Sequence, residues 1–289
     1  MDLVLIGAGR VGTAVALLLQ QSGHRVVGVA SRSSESAARG GRLLNAPVFD
    51  VSRLPAAETV LLGVPAGAIE DLGHRVAGQG GFDVVCHFAG SVGISPLQAA
   101  TEAGMFAAAI HPVQSCPEVA AAVDRLPGSA WGVTASPEVA RWAFDLITND
   151  LHGLPVTVAE ADRPVWHAAA VVTANGAAAL MSLGEAMLAE IGIDHPQTVL
   201  GPLLAGTVSN AEGRGVGNAE RPRAAATLTG PFVRGEAATV RSHVEALRGR
   251  APHLLEAYRL IAQTILLAAV DAGRLETEVA GVVRRELER

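Results

Sequence analysis

Over the first half of the chain, short apolar runs alternate with stretches that repeat apolar residues at helical spacing. The runs at 2–6, 25–30, 47–49, 59–64, 83–88 and 105–110 are rich in Val, Leu, Ile and Ala. Several have no polar interruption, the pattern of strands in a parallel sheet covered on both faces. Gly23 and Gly104 stand where the helices before two of these strands would close. Two more strands are expected at 130–134 and 155–158, with a helix from Pro137 to about residue 149 between them. Past residue 159 the strand pattern stops. Asp162 is a good N-cap, Pro164 suits a first turn, and Gly192 ends a run of about 27 residues at helical spacing. Further helices are expected at 196–212, 237–247, 252–272 and 275–287, with a loop at 213–223. The pattern therefore predicts an α/β domain over 1–158 with a doubly wound parallel sheet, followed by an all-α domain over 159–289.

The first strand runs straight into Gly7-Ala8-Gly9-Arg10-Val11-Gly12, and a helix follows at once. In that context Gly7 permits the tight turn, Gly9 lets a pyrophosphate approach the backbone, and Gly12 lets helix and strand pack closely. Free N–H groups of the helix start would face the phosphates, so a dinucleotide bound at Gly7, Gly9, Arg10, Val11 and Gly12 on a Rossmann fold is expected. The second strand decides which dinucleotide. It ends Ala30-Ser31-Arg32-Ser33-Ser34 and meets no carboxylate until Glu35. An acid there would hold the ribose of NAD, whereas Arg32 can pair with a 2′-phosphate while Ser31 and Ser33 donate to it. NADP is the expected cofactor; the other reading is a solvated turn in which Arg32 touches nothing. Val64-Pro65 turns the chain where the rest of the dinucleotide would pass, and Ser91 follows the fifth run.

Composition narrows the field. A net charge of −6 over 289 residues argues against a nucleic-acid partner. The two cysteines, Cys86 and Cys116, give no disulfide framework, and the glycine loop begins too early for a cleavable leader. A cytoplasmic protein is expected. The stretch 165–183 is the most apolar, but it carries His167, Thr173, Asn175 and Ser182, which favours a buried or covered helix over one in lipid. All 22 basic residues are arginine. The absence of lysine removes every mechanism that needs a lysine acid, base or Schiff base. No metal is expected.

Several polar residues stand out against apolar surroundings. His111 follows the sixth strand at the carboxyl edge, where open parallel sheets bind ligands. His87 and Ser91 flank the end of the fifth. His167 and Asn175 lie eight apart on the long helix and share one broad stripe. Each is either a site residue or a satisfied structural group. Arg234 follows Gly230-Pro231 and precedes a helix; it either grips a substrate carboxylate or forms an internal ion pair.

Together the N-terminal fingerprint, His87 with Gly90-Ser91, His111-Pro112 with Gln114, Trp166-His167-Ala168-Ala169-Ala170 leading to Asn175, and Thr229-Gly230-Pro231 with Arg234-Gly235 resemble one family over nearly the whole chain. It is a group of candidate NAD(P)-dependent oxidoreductases with a Rossmann-like domain followed by a helical domain of unknown function. Its architecture is similar to 6-phosphogluconate dehydrogenase, ketopantoate reductase, prephenate dehydrogenase and pyrroline-5-carboxylate reductase. The resemblance implies a helical domain of the 6-phosphogluconate dehydrogenase C-terminal type and a homodimer. It also implies catalytic roles for His111, His167, Asn175 and Arg234. One feature departs from the hydroxyacid dehydrogenases: four residues before Asn175, where they carry a lysine, this chain has Val171. The expectation is an NADPH-dependent reductase of the carbonyl or imine of a small anionic substrate, held in a cleft between the domains. The alternatives are a ketopantoate or pyrroline-carboxylate reductase proper, and a dinucleotide sensor without turnover.

Overall fold

The computed structural model describes residues 1–212 and 224–289, and the loop expected at 213–223 lies outside the described residues. The chain separates into two compact units, Met1–Ala174 and Asn175–Arg289. In the first, strands and helices alternate as β1 (Asp2–Ile6), α1 (Arg10–Gln21), β2 (Arg25–Ala30), α2 (Ser34–Leu44), β3 (Thr59–Leu62), α3 (Ile69–Gln79), β4 (Val84–His87), α4 (Gln98–Glu102) and β5 (Phe106–Pro112). Then come α5 (Val119–Arg125), β6 (Ala130–Ala135), α6 (Pro137–Asp145) and β7 (Leu154–Thr157). The seven strands form one sheet in the order β2-β1-β3-β4-β5-β6-β7. Its two faces carry separate apolar layers. Leu3, Leu5, Leu61 and Ile110 pack on the α1 side, and Val4, Ile6, Leu62 and Val85 pack under α3.

Two expectations are corrected. The sheet is not wholly parallel: β6 runs antiparallel to β5, with His111 opposite Gly132 and Pro112 opposite Trp131. The link between them holds only the seven-residue α5. It starts β6 at the same edge where β5 ends, and α5 lies against α1. The strand expected at 47–49 is a single bridge, Val29 to Val48, at the sheet edge. Pro47 has no N–H to donate, and Asp50 turns the chain by accepting from the Ser52 backbone and hydroxyl.

Helix α7 (Arg163–Ala189) starts in the first unit and continues into the second, so the division falls inside it. The second unit continues with α8 (Pro196–Ala211), α9 (Ala237–Arg250), α10 (Pro252–Asp271) and α11 (Thr277–Glu288). Val240 and Val244 of α9, Leu255 and Leu266 of α10 and Val283 of α11 form its core. Helices α7 and α8 behave differently: Arg163 and Pro196 are their only buried residues. Val172 is 72% exposed and Leu203 66%.

Candidate active site

The glycine loop has the form its spacing requires. Gly7 has φ +91°, and its N–H donates to Ala30 O. A Cβ on Gly7 would lie 2.5 Å from Val64 Cγ1, and one on Gly12 would lie 2.9 Å from both Gly63 Cα and Gly7 O. The turns after β1 and β3 are thus in backbone contact, which fixes where Val64 and Pro65 begin. Gly9 caps α1 with extended backbone and no side chain, leaving the first-turn N–H groups open. Arg10 is exposed and donates to Pro117 O; Val11 packs on the core. These residues fit a pyrophosphate.

At the end of β2, Ser33 caps α2 by accepting from Ser36 N–H. Ser31 is half-buried and Arg32 exposed. Neither has a side-chain partner among the described residues. The N-terminus of α2, two hydroxyls and a guanidinium without a partner among the described residues thus fall on consecutive positions, a set that fits a phosphate monoester.

The ends of β4 and β5 carry the histidines. His87 is fully buried. Its Nε2–H donates to Gly93 O at 2.7 Å and its Nδ1 accepts from Ala89 N–H, so both nitrogens are used in shaping the loop that carries Gly90 and Ser91. Burial, with Arg163 nearby, lowers its pKa to about 4. His87 is a structural group. Ser91 is half-buried beside it.

His111 and His167 come together. Their rings meet edge-on with centroids 5.5 Å apart. Gly90 sits between them: a Cβ there would fall 2.5 Å from His167 Nδ1 and 2.7 Å from His111 Nε2. His167 Nδ1 is buried and has no hydrogen-bond partner among the described residues. Leaving such an atom unpaired costs about 1–3 kcal/mol, so it calls for a ligand. His111 is pushed down to about 4, first by burial and then by His167, Arg163 and His87. It is neutral at physiological pH.

Three further residues of this site carried no role in the sequence reading. Arg163 is fully buried at the first turn of α7. It donates to Ala109 O of β5, Gly132 O of β6 and Thr134 Oγ1, which pins the helix to the antiparallel seam. Burial lowers its pKa to about 10. Glu160, just before α7, accepts from the N–H groups of Ile94 and Ser95. Burial opposes its ionisation, yet these hydrogen bonds hold the carboxyl below its ordinary range. Trp166 donates its indole N–H to His111 Nδ1. Asn175 and Arg234 belong to the second unit. Asn175 is exposed on α7, and Arg234 is exposed and paired with Glu236.

Comparison with known proteins agrees with this organisation. Residues 1–112 match a Rossmann-like domain and residues 129–265 match a domain of unknown function, DUF2520. No curated protein matches the chain. Among solved structures, a candidate NADP oxidoreductase from Bacteroides fragilis is 24% identical, with 92% of this chain and 97% of that one covered and a TM-score of 0.72. A pyrroline-5-carboxylate reductase from Coxiella burnetii is 14% identical over 97% of both chains, with a TM-score of 0.60. An imine reductase from Myxococcus stipitatus, in complex with NADP+, is 15% identical over 100% of both, also at 0.60. The fold is a Rossmann-like domain followed by a helical C-terminal region, and it is shared with these three structures. The chain thus carries a Rossmann-like domain over residues 1–112 and a DUF2520 domain over 129–265.

Proposed function

We propose that this protein is an NADPH-dependent reductase acting on the C=O or C=N bond of a small molecule. The observation that carries the reading is the pair of imidazoles, His111 and His167, that meet over Gly90 at the carboxyl edge of the sheet. Strands β1, β3, β4 and β5 are parallel, so that edge is also the one where the glycine loop opens. NADPH supplies a hydride when bound. The chain orients it through Gly7, Gly9, Arg10, Val11 and Gly12, recognises its 2′-phosphate through Ser31, Arg32 and Ser33, and borders it with Val64, Pro65 and Ser91. A carbonyl or imine at His111 and His167 is polarised by imidazole N–H groups without lysine. The likeness to a pyrroline-5-carboxylate reductase and an imine reductase supports cyclic imines as first substrates to test. Asn175 and Arg234 are the further residues proposed for catalysis, Arg234 to hold an anionic group of the substrate. Arg234 shares its charge with Glu236, so an anionic substrate competes with that pair.

The test is NADPH oxidation with a panel of cyclic imines and 2-oxo acids, ketopantoate included. Turnover with at least one class, abolished by His167→Ala, is expected. NADPH binding without turnover across the panel would replace this reading with a sensor.

A further inference from the structure

The structure leaves His111 one way to hold its proton. An indole N–H can only donate. Trp166 Nε1 lies 3.1 Å from His111 Nδ1, so Nδ1 accepts and the neutral ring carries its hydrogen on Nε2. Nε2 is the atom facing Gly90 and the unpartnered His167 Nδ1. The seat of the indole is built by β6. Gly132 stands opposite His111 in the ladder, and a Cβ there would lie 2.7 Å from Trp166 Nε1 and Cε2. The missing side chain lets the indole close on the strand beside His111. Arg163, three residues earlier on α7, anchors that turn to the same two strands.

We propose that Trp166 is a positioning residue that locks His111 as its Nε2–H tautomer. His111 then serves as a neutral hydrogen-bond donor to the reacting oxygen or nitrogen, and proton delivery falls to His167. The use made of the tautomer rests on the reductase reading above; the tautomer itself does not. As the substrate carbon takes the hydride, the π pair of C=O or C=N moves onto the heteroatom. That atom takes a proton from the His167 imidazolium, which is left neutral. His111 keeps its hydrogen: losing it would leave an imidazolate, and gaining a second at Nδ1 would break the Trp166 bond. The groups acting on His111 also disfavour a cation: Arg163, His167 and His87 all oppose its positive charge, and no acid is among them. His167 Nδ1 has no hydrogen-bond partner among the described residues, so no contact fixes the tautomer of its ring.

Long-range 1H–15N spectra of the imidazoles in the full-length protein test this without substrate, with His111→Asn assigning the resonance. At neutral pH, His111 is expected with hydrogen on Nε2 and a bare Nδ1. Trp166→Phe, which keeps an aromatic ring and removes the donor, should give a tautomer mixture. It should also move the acid limb of the kcat profile upward and lower kcat roughly ten- to hundredfold, with KM little changed. If Trp166→Phe does not fold, Gly132→Ala displaces the indole and should reproduce the mixture. Hydrogen on Nδ1 in the wild type, or spectra unchanged in a folded variant, overturns the proposal. A reductase reading that failed for want of turnover would leave the spectra as expected, so the two failures are distinguishable.

Discussion

Arg32 is an exposed guanidinium with no ion-pair partner among the described residues, and this makes it readable as a phosphate ligand. Arg32→Ala should weaken NADPH binding by about ten- to hundredfold, the worth of a charge-assisted pair of roughly 1.5–3 kcal/mol, and leave NADH nearly unchanged. Parallel titrations with the two cofactors check this; equal losses would refute it. Gly90 is governed by space rather than charge. A methyl group there would push apart His111 and His167, so Gly90→Ala should lower kcat by about a hundredfold, as a misplacement of about an ångström does. His87 supplies a pH effect on stability. Its pKa is about 4 in the fold against an ordinary 6.5, so the unfolded chain takes up the proton first as pH falls. Its contribution is complete above about pH 6.5, declines through the interval down to about 4, and amounts to about 3 kcal/mol. Urea unfolding across that interval should show a steeper loss in the wild type than in His87→Gln.

Among the elements, α7 shows both what the sequence reveals and what it hides. Its length and start were legible because helical spacing, Pro164 and Gly192 are local signals. The strands were legible for the same reason, since Val-, Leu- and Ala-rich runs covered on both faces carry almost no polar residues. The direction of β6 was not, because an apolar strand pairs either way and only the path of α5 decides. His111 and His167 stood out as polar residues in apolar surroundings. Arg163 and Trp166 did not: an arginine beside a proline at a helix start looks like a solvated first turn. Its true partners are carbonyls on β5 and β6, which leave no trace in the sequence around residue 163. Replacing it measures that hidden anchor. Arg163→Met should destabilise the protein by about 3 kcal/mol, since buried carbonyls lose a charged donor. Chemical denaturation reads this directly, and a cost near zero would show that the anchor carries little.

For the whole molecule, the question is what covers α7 and α8. Helices of 27 and 16 residues that bury one residue each leave Val165, Val172, Val199 and Leu203 on the surface. Both Glu160–Ala189 and Pro252–Asp271 are long and apolar enough to cross a membrane. The second, however, supplies Leu255, Ala262, Leu266 and Ala269 to a packed core. The first carries His167, Thr173, Asn175 and Ser182, a costly set in lipid. A second copy of the chain is the expected cover, joined about a two-fold axis. Light scattering at micromolar concentration should report a dimer, and a monomer would refute it. The continuity of α7 bears on how such a protein can diverge. Its pattern changes near residue 158, the natural place for one gene segment to be exchanged for another. Yet Arg163, Trp166 and His167 all lie beyond that point. A chimaera joined there would inherit the preference for a phosphorylated dinucleotide and lose the setting of His111. A junction that preserves the setting of His111 has to fall inside the helix, past His167, so in such a chimaera the cofactor site is easier to exchange than the imidazole pair.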